Sequence, residues 1–484
     1  MTARSIFRPG RPSTDLLRKH SMATPRRARA GGSAWTGTQR DSSLNGMFDS
    51  MLAQAQHELG TGVTIGTQAE ANLIGLPLPA LCLRYLFQST IFPLSRLTQV
   101  TGEEGSAKSA FLYEVMRWHM IYGGGGVLAE NENKDSPELR NSILEWNPAW
   151  LNRLIIKQTY SLEEWQDVFT TFVDIAKKEQ DKPGGSGRTV PICFGIDSLM
   201  ATAPQSEIDS VNKDGHASRG FALAANLIAR YMRTMPERIQ EYPFTMIGTN
   251  HLKPATDMRG LPTANIPGGK AVKFMETFEI EMKKALGADI DTLDFGGLRI
   301  KFVARKNSLG PSRKSITAEL LWWYADDGQG NFRQRTAWDW DTSTVELLLS
   351  FENAKGKKTI YNRLKEITGI TGAPGRTAYS TILGIPKSDP QLYRIVGGAL
   401  EQRADLLGQV YQVLGITQRR PFVPGMDYRE MLTTAIGEAR ARTDELYQDV
   451  QGLPVVTGLA VDGDVVPEDD SESITSEDPT DEDY

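Results

Sequence analysis

Residues 97–109, Leu-Thr-Gln-Val-Thr-Gly-Glu-Glu-Gly-Ser-Ala-Lys-Ser, combine the groups needed to hold a triphosphate. Gly102, Glu103, Glu104, Gly105, Ser106 and Ala107 supply a tight turn of backbone N–H donors, Lys108 an ammonium, and Ser109 a hydroxyl for Mg²⁺. The order is that of a P-loop, except that Ala107 stands where the pattern has glycine. A Cβ there narrows the backbone angles open to the loop. Phosphoryl transfer to water also needs an acid that holds the metal's shell and a group that polarises the attacking water. Asp197, after the apolar run 190–196, suits the first task, and Glu130, after Val127-Leu128-Ala129, suits the second. Taken singly, each has a plain structural reading: a Gly-rich strand-to-helix turn without a ligand, or an acid that merely ends a buried strand.

These residues need a scaffold that brings strand ends together. From about residue 90, strand-like apolar runs alternate with helical periodicity, which predicts an α/β domain with a mainly parallel sheet. The expected helices cover 111–121, 161–178 (opened by Ser161 and Glu164 in the manner of a capping box) and 218–240. Expected strands end at Glu130, at Asp197 and at Asn250-His251, and three more lie around 277–283, 298–304 and 316–324. Residues 251–267 form a polar segment too long for a simple connection, which points to a functional loop. Beyond Asp341 the chain turns helical, with basic residues such as Lys355, Lys357, Lys358, Arg419 and Arg420. This predicts a small second domain, either a DNA-binding helical bundle or one with a charged, solvated face. The expected organisation is therefore a basic arm (1–40), an N-terminal subunit-contact segment (41–75), the α/β core (76–341), a helical domain (342–460) and an acidic tail (461–484).

The chain has 484 residues, 40% hydrophobic and 24% charged, as a globular protein with a substantial core would have. No apolar run approaches the length of a membrane-spanning helix, and residues 1–30 lack the apolar centre of a secretory signal. Cys82 and Cys193 are too few for a disulfide framework and suit a reducing compartment, so the expected location is the cytoplasm. The net charge of −6 conceals two opposite ends: residues 1–40 hold nine Arg or Lys and one acid, while 462–484 hold eleven acids and no base. The arm can lie along a phosphate backbone or serve as a solvated tail, and its composition also resembles an organelle transit peptide. The acidic tail can compete with nucleic acid for a basic groove, or simply aid solubility.

The stretch from about 75 to 340 resembles the ATPase core of the RecA family of recombinases, of bacterial or phage UvsX type. The P-loop, Ala129-Glu130-Asn131, Ile196-Asp197-Ser198-Leu199, Ser206-Glu207-Ile208-Asp209, Asn250-His251 and Gly268-Gly269-Lys270-Ala271-Val272-Lys273-Phe274 occur in the family's order. Val303-Ala304-Arg305-Lys306-Asn307 followed by Pro311 resembles the basic strand end that reaches a neighbouring subunit's nucleotide. The resemblance implies a RecA-like P-loop core that uses ATP and Mg²⁺. Ser109 and Asp197 are then the metal ligands, Glu130 the water polariser, and His251 the γ-phosphate sensor. Arg305 and Lys306 would act on the next protomer's nucleotide. It further implies DNA loops at 206–219 and 251–267, with Lys213, Arg219, Lys253, Arg259, Gly268, Gly269 and Lys270 as DNA contacts. Thr256, near Met258, stands where bacterial members carry an apolar wedge, and Asn307 aligns where they carry a second trans-acting cation.

The function so implied is a DNA-dependent ATPase that forms a helical homo-oligomeric filament on single-stranded DNA and pairs it with homologous duplex DNA. A single-strand-binding protein or loader would be a further partner, and no membrane is involved. Two other classes keep the same fold: a ring helicase or motor, and a weakly catalytic DNA-binding adaptor, which Ala107 favours.

Overall fold

The computed structural model describes residues 73–182, 190–199, 203–214, 221–240, 242–256, 262–265, 269–292, 295–326, 330–355, 359–368 and 392–435, with a few isolated positions besides. The basic arm 1–40, nearly all of the 41–75 segment and the acidic tail 461–484 lie outside the described residues. The chain forms two compact units, Met1–Thr64 and Ile65–Tyr484, and nearly all described residues belong to the second.

Its strands are β1 (Ile74–Pro77), β2 (Ile91–Pro93), β3 (Arg96–Gly102), β4 (Gly125–Glu130), β5 (Leu154–Gln158), β6 (Ile192–Asp197), β7 (Phe244–His251), β8 (Lys253–Thr256), β9 (Pro262–Asn265), β10 (Phe278–Asp291), β11 (Gly296–Asn307), β12 (Ser315–Asp326), β13 (Phe332–Asp339) and β14 (Arg420–Pro421). Nine of them form one mixed sheet in the order β13-β12-β11-β10-β3-β7-β6-β4-β5. The neighbours from β10 to β5 pair in parallel, and β10 to β13 pair antiparallel. The fold is thus α/β, a RecA-like core with a mostly parallel sheet and an antiparallel extension.

Alternation within the strands shows why both sheet faces are covered. Leu128, Cys193 and Ile247 enter one hydrophobic cluster with Phe111, Val115 and Met116 of the helix Lys108–Ile121, while their neighbours Val127, Ala129, Phe194, Ile196 and Met246 enter a second. That second cluster is capped by Trp165, Phe169 and Val173 of the helix Leu162–Gln180 and by Ile228, Met232 and Met235 of the helix Phe221–Ile239. Such two-sided burial is what parallel strands require. Each fully buried Phe or Ile contributes about 1.5–3 kcal/mol relative to exposure. At the start of Leu162–Gln180, Ser161 Oγ accepts from the Glu164 N–H at 3.2 Å. The Glu164 carboxylate accepts from the Tyr160 N–H at 2.6 Å, one residue earlier than a capping box has it.

After β13 come the helices Trp340–Lys355, Thr359–Thr368, Leu392–Glu401 and Ala404–Leu414. They build a third cluster from Val345, Leu348, Ile360, Leu364, Val396, Leu406 and Val410. Leu81 of the core joins that cluster, and Arg84 pairs with Glu401 at 2.7 Å and donates to the Tyr411 hydroxyl at 2.7 Å. The chain then returns as β14, parallel to β1. Among the described residues no helix is long and apolar enough to cross a membrane.

Candidate nucleotide-binding site

Parallel register sets the site. His251 pairs with Gly102, Met282 with Gly102, and Glu130 with Asp197, so the C-terminal ends of β3, β7, β6, β4 and the middle of β10 share one rim of the sheet. Ligands in open α/β sheets bind at such rims.

The expected phosphate loop leaves β3 at Gly102. A Cβ on Gly102 would lie 2.4 Å from the Met282 carbonyl oxygen, so β10 and the loop can pack this closely only with glycine. Gly105 has φ +73° and Ala107 φ 61°, ψ 30°, both left-handed. The cost anticipated from the Ala107 side chain therefore falls where the backbone is least tolerant, about 1–2 kcal/mol for an L-residue. Ser106 Oγ donates to the Glu103 carbonyl at 2.7 Å and tightens the turn. The helix Lys108–Ile121 then begins with no side-chain cap, leaving its first N–H groups for an anion.

Lys108 is 7% exposed, and its ammonium donates to the Gly102 and Glu103 carbonyls at 3.1 and 2.8 Å. Burial holds its pKa below the ordinary lysine value, against the attraction of Asp197 and Glu132. Ser109 Oγ donates to Asp197 Oδ2 at 2.5 Å, and Thr249 donates to the other carboxylate oxygen. Burial pushes Asp197 up, and these two hydrogen bonds oppose it. Glu130, 4% exposed, accepts the Lys134 N–H at 3.0 Å through its carboxylate and the Thr159 N–H at 2.8 Å through its carbonyl. Its strand is not the neighbour of β3, since β7 and β6 intervene; Glu130 approaches the cradle through Asp197.

His251 lies at the end of β7, its Nε2 2.8 Å from Glu132 Oε1. Burial opposes ionisation of Glu132, but hydrogen bonding, including that from His251, outweighs it and holds the carboxyl below its ordinary value. The Leu252 N–H donates to the Gly102 carbonyl at 3.2 Å, fastening the next segment to the phosphate loop.

Arg305 and Lys306 do not reach their own cradle. Arg305 is ion-paired with Glu281, and Lys306 donates to the carbonyls of Lys273 and Phe274 at 2.5 and 3.3 Å. Their strand β11 lies two strands from β3, roughly 10 Å across the sheet. Of the expected DNA contacts, Lys213 is exposed near the end of the helix Gln205–Asp214, so the expected loop 206–219 begins as helix. Lys253 lies on β8, which pairs with β9 as a hairpin inside the expected loop 251–267. Gly269 and Lys270 open the helix Gly269–Met275, whereas Arg219, Arg259 and Gly268 lie outside the described residues.

Sequence reasoning passed over Thr249, Glu132, Lys134 and Lys284. Lys134 stands 3.4 Å from Glu104 and 3.7 Å from Glu132. The Lys284 ammonium lies 3.5 Å from where a Cβ on Gly105 would be, beside the phosphate loop. Only Thr249 carried a local signal, a hydroxyl just before Asn250-His251 on a buried strand.

No family model matches the chain. It is similar to Protein RecA of Fusobacterium nucleatum, 23% identical over 287 residues, covering 59% of this chain and 70% of the relative. Protein RecA of Lactobacillus acidophilus is 22% identical over 277 residues, covering 57% and 70%. Protein RecA of Francisella tularensis subsp. novicida is 24% identical over 278 residues, covering 57% and 71%. These partial matches, with the α/β architecture, support a RecA-like family for the chain without singling out a member.

Proposed function

We propose that this protein is an ATP-dependent DNA recombinase whose subunits assemble head to tail on single-stranded DNA and pair it with homologous duplex DNA. The observation that carries the reading is the convergence of Lys108, Ser109, Asp197, Glu130 and His251 on one rim of a RecA-like sheet. ATP is the substrate in this reading. Mg²⁺ would neutralise phosphate charge, and the donor set fits it: a hydroxyl and a carboxylate in direct contact are hard oxygen ligands. Ser109 and Asp197 would hold the ion, with Thr249 orienting Asp197. Lys108 leaves its backbone carbonyls to bind phosphate oxygens, Glu130 orients and polarises the attacking water, and His251 reports the terminal phosphate.

Two features support assembly. Arg305 and Lys306 are placed away from their own cradle, as trans-acting cations need to be. On the opposite rim, β5 is an edge strand with Ile155 and Ile156 exposed, beside a cavity of about 550 Å³ lined by Gly126, Ile155, Phe172, Ile175, Ala176 and Phe194. In the proposed filament this recess takes Met47-Phe48 and Met51-Leu52 of a second copy, whose helical apolar spacing suits it. Head-to-tail contacts of this kind generate open helices. Lys213, Lys253 and Lys270 neutralise the DNA backbone in this reading, together with Arg219 and Arg259.

The strained Ala107 favours slow turnover, and on that ground a weakly catalytic adaptor is the second reading. Negative-stain imaging with single-stranded DNA and a non-hydrolysable ATP analogue separates the alternatives. A striated helix that disappears in Lys108→Ala is expected; closed rings point to a motor, and scattered particles refute assembly. Strand pairing by Lys108→Ala equal to wild type would refute the nucleotide's role.

A further inference from the structure

His251 is the last residue of β7, and the β8–β9 hairpin follows after one residue. Its Nε2 is held by Glu132, whose side chain is 14% exposed. The second Glu132 oxygen lies 3.7 Å from the Lys134 ammonium, which in turn lies 3.4 Å from Glu104 of the phosphate loop. A chain of polar contacts therefore runs from the phosphate loop to the base of the hairpin: Glu104, Lys134, Glu132, His251. The outer pair is exposed at 64% and 83% and contributes little. The Glu132–His251 contact is the sheltered one.

We propose that Glu132 is a positioning residue: it fixes the His251 imidazole and so couples the phosphate end of the site to the paired strands β8 and β9. A strand-end histidine without such a partner samples several rotamers, and a phosphate then has no defined group to pull on. With Glu132 in place, movement of the ring is movement at the base of the hairpin, two residues before Lys253. Leu252, bonded to the Gly102 carbonyl, keeps that movement from being lost in slack chain. The inference rests on the nucleotide-dependent DNA binding proposed above.

The test uses the full chain and a fluorescent oligothymidylate, with the Kd measured without and with a non-hydrolysable ATP analogue, and the Kd of the analogue measured separately. Couplings between sites commonly amount to about 5- to 150-fold, so wild type is expected to bind DNA at least about tenfold more tightly with the analogue. Glu132→Ala should reduce that gain to about twofold or less while changing the analogue's own Kd by no more than about threefold, the mark of lost coupling and not lost binding. Glu132→Gln, whose amide oxygen still accepts from Nε2, should retain most of the gain. The double variant Glu132→Ala/His251→Ala should lose no more than either single one. Full nucleotide-dependent tightening in Glu132→Ala, or additive losses in the double variant, would overturn the inference alone. Absence of tightening in wild type would overturn it together with the function on which it rests.

Discussion

Glu276 offers the sharpest quantitative test of the fold around the candidate DNA loop. It follows the helix Gly269–Met275, is 2% exposed, and neither carboxylate oxygen has a hydrogen-bond partner among the described residues. Burial, with the nearby Glu279, pushes its pKa from 4.5 to about 8, against the pull of Lys306 and Lys273. Because the folded value is raised, the native state binds the extra proton. Its stability is fully present below pH 4.5 and falls as pH rises towards 8. Between pH 5.5 and 8.5 the linkage relation gives a loss of about 3 kcal/mol, with each pKa unit worth about 1.4 kcal/mol. Glu276→Gln places a neutral side chain where the protonated acid sits, so the variant should match wild type only below pH 4.5, exceed it by about 1 kcal/mol at pH 5.5 and by about 4–5 kcal/mol at pH 8.5, a gap that widens by about 3 kcal/mol between the two. Urea unfolding of both proteins at the two pH values measures the difference directly, and other titrating groups cancel in the comparison. Parallel pH profiles would refute the reasoning and show that the carboxylate finds a partner or water when ionised.

Ala107→Gly should relieve about 1–2 kcal/mol of left-handed strain and return about 0.5–1 kcal/mol as chain entropy, a small net stabilisation visible in urea unfolding, with tighter nucleotide binding. Thr249→Val removes one of two donors to Asp197 without changing shape; losing a hydrogen bond to a charged group, about 1.5–3 kcal/mol, should weaken Mg²⁺-dependent nucleotide binding at least about tenfold by equilibrium titration. Glu401→Ala leaves Arg84 without its carboxylate and the Leu81 N–H without its acceptor, and should destabilise the docking of the helices after Asp341 by about 3 kcal/mol, read as earlier cleavage in limited proteolysis.

The phosphate loop was legible because its chemistry is contiguous: eight residues carry strand end, turn, ammonium and hydroxyl. The strands closing on Glu130, Asp197 and His251 were legible for a similar reason, as short apolar runs with a polar stop. What joins these pieces was not. Glu132 meets His251 across 119 residues, and no local pattern announces a contact that parallel register creates. β5 and β13 escaped because both are edge strands. β5 leaves four of its five residues exposed, and β13 reads Phe-Arg-Gln-Arg-Thr-Ala-Trp-Asp, so neither carries a buried run. The helix Gln205–Asp214 stands at the start of an expected loop, with Ile208 half-buried and Val211 exposed, a periodicity too faint to compete with the resemblance.

The cradle and the apolar recess occupy opposite ends of the same parallel strands, the recess at the starts of β4, β5 and β6 and the cradle where strands finish. In the proposed assembly this gives the growing polymer unequal tips. A copy with a bulky residue filling the recess, such as Ala176→Trp, keeps its own contact segment and can still join one tip, but it offers nothing to the next arrival. Mixed with wild type, such a copy would act as a chain terminator, shortening polymers out of proportion to its abundance.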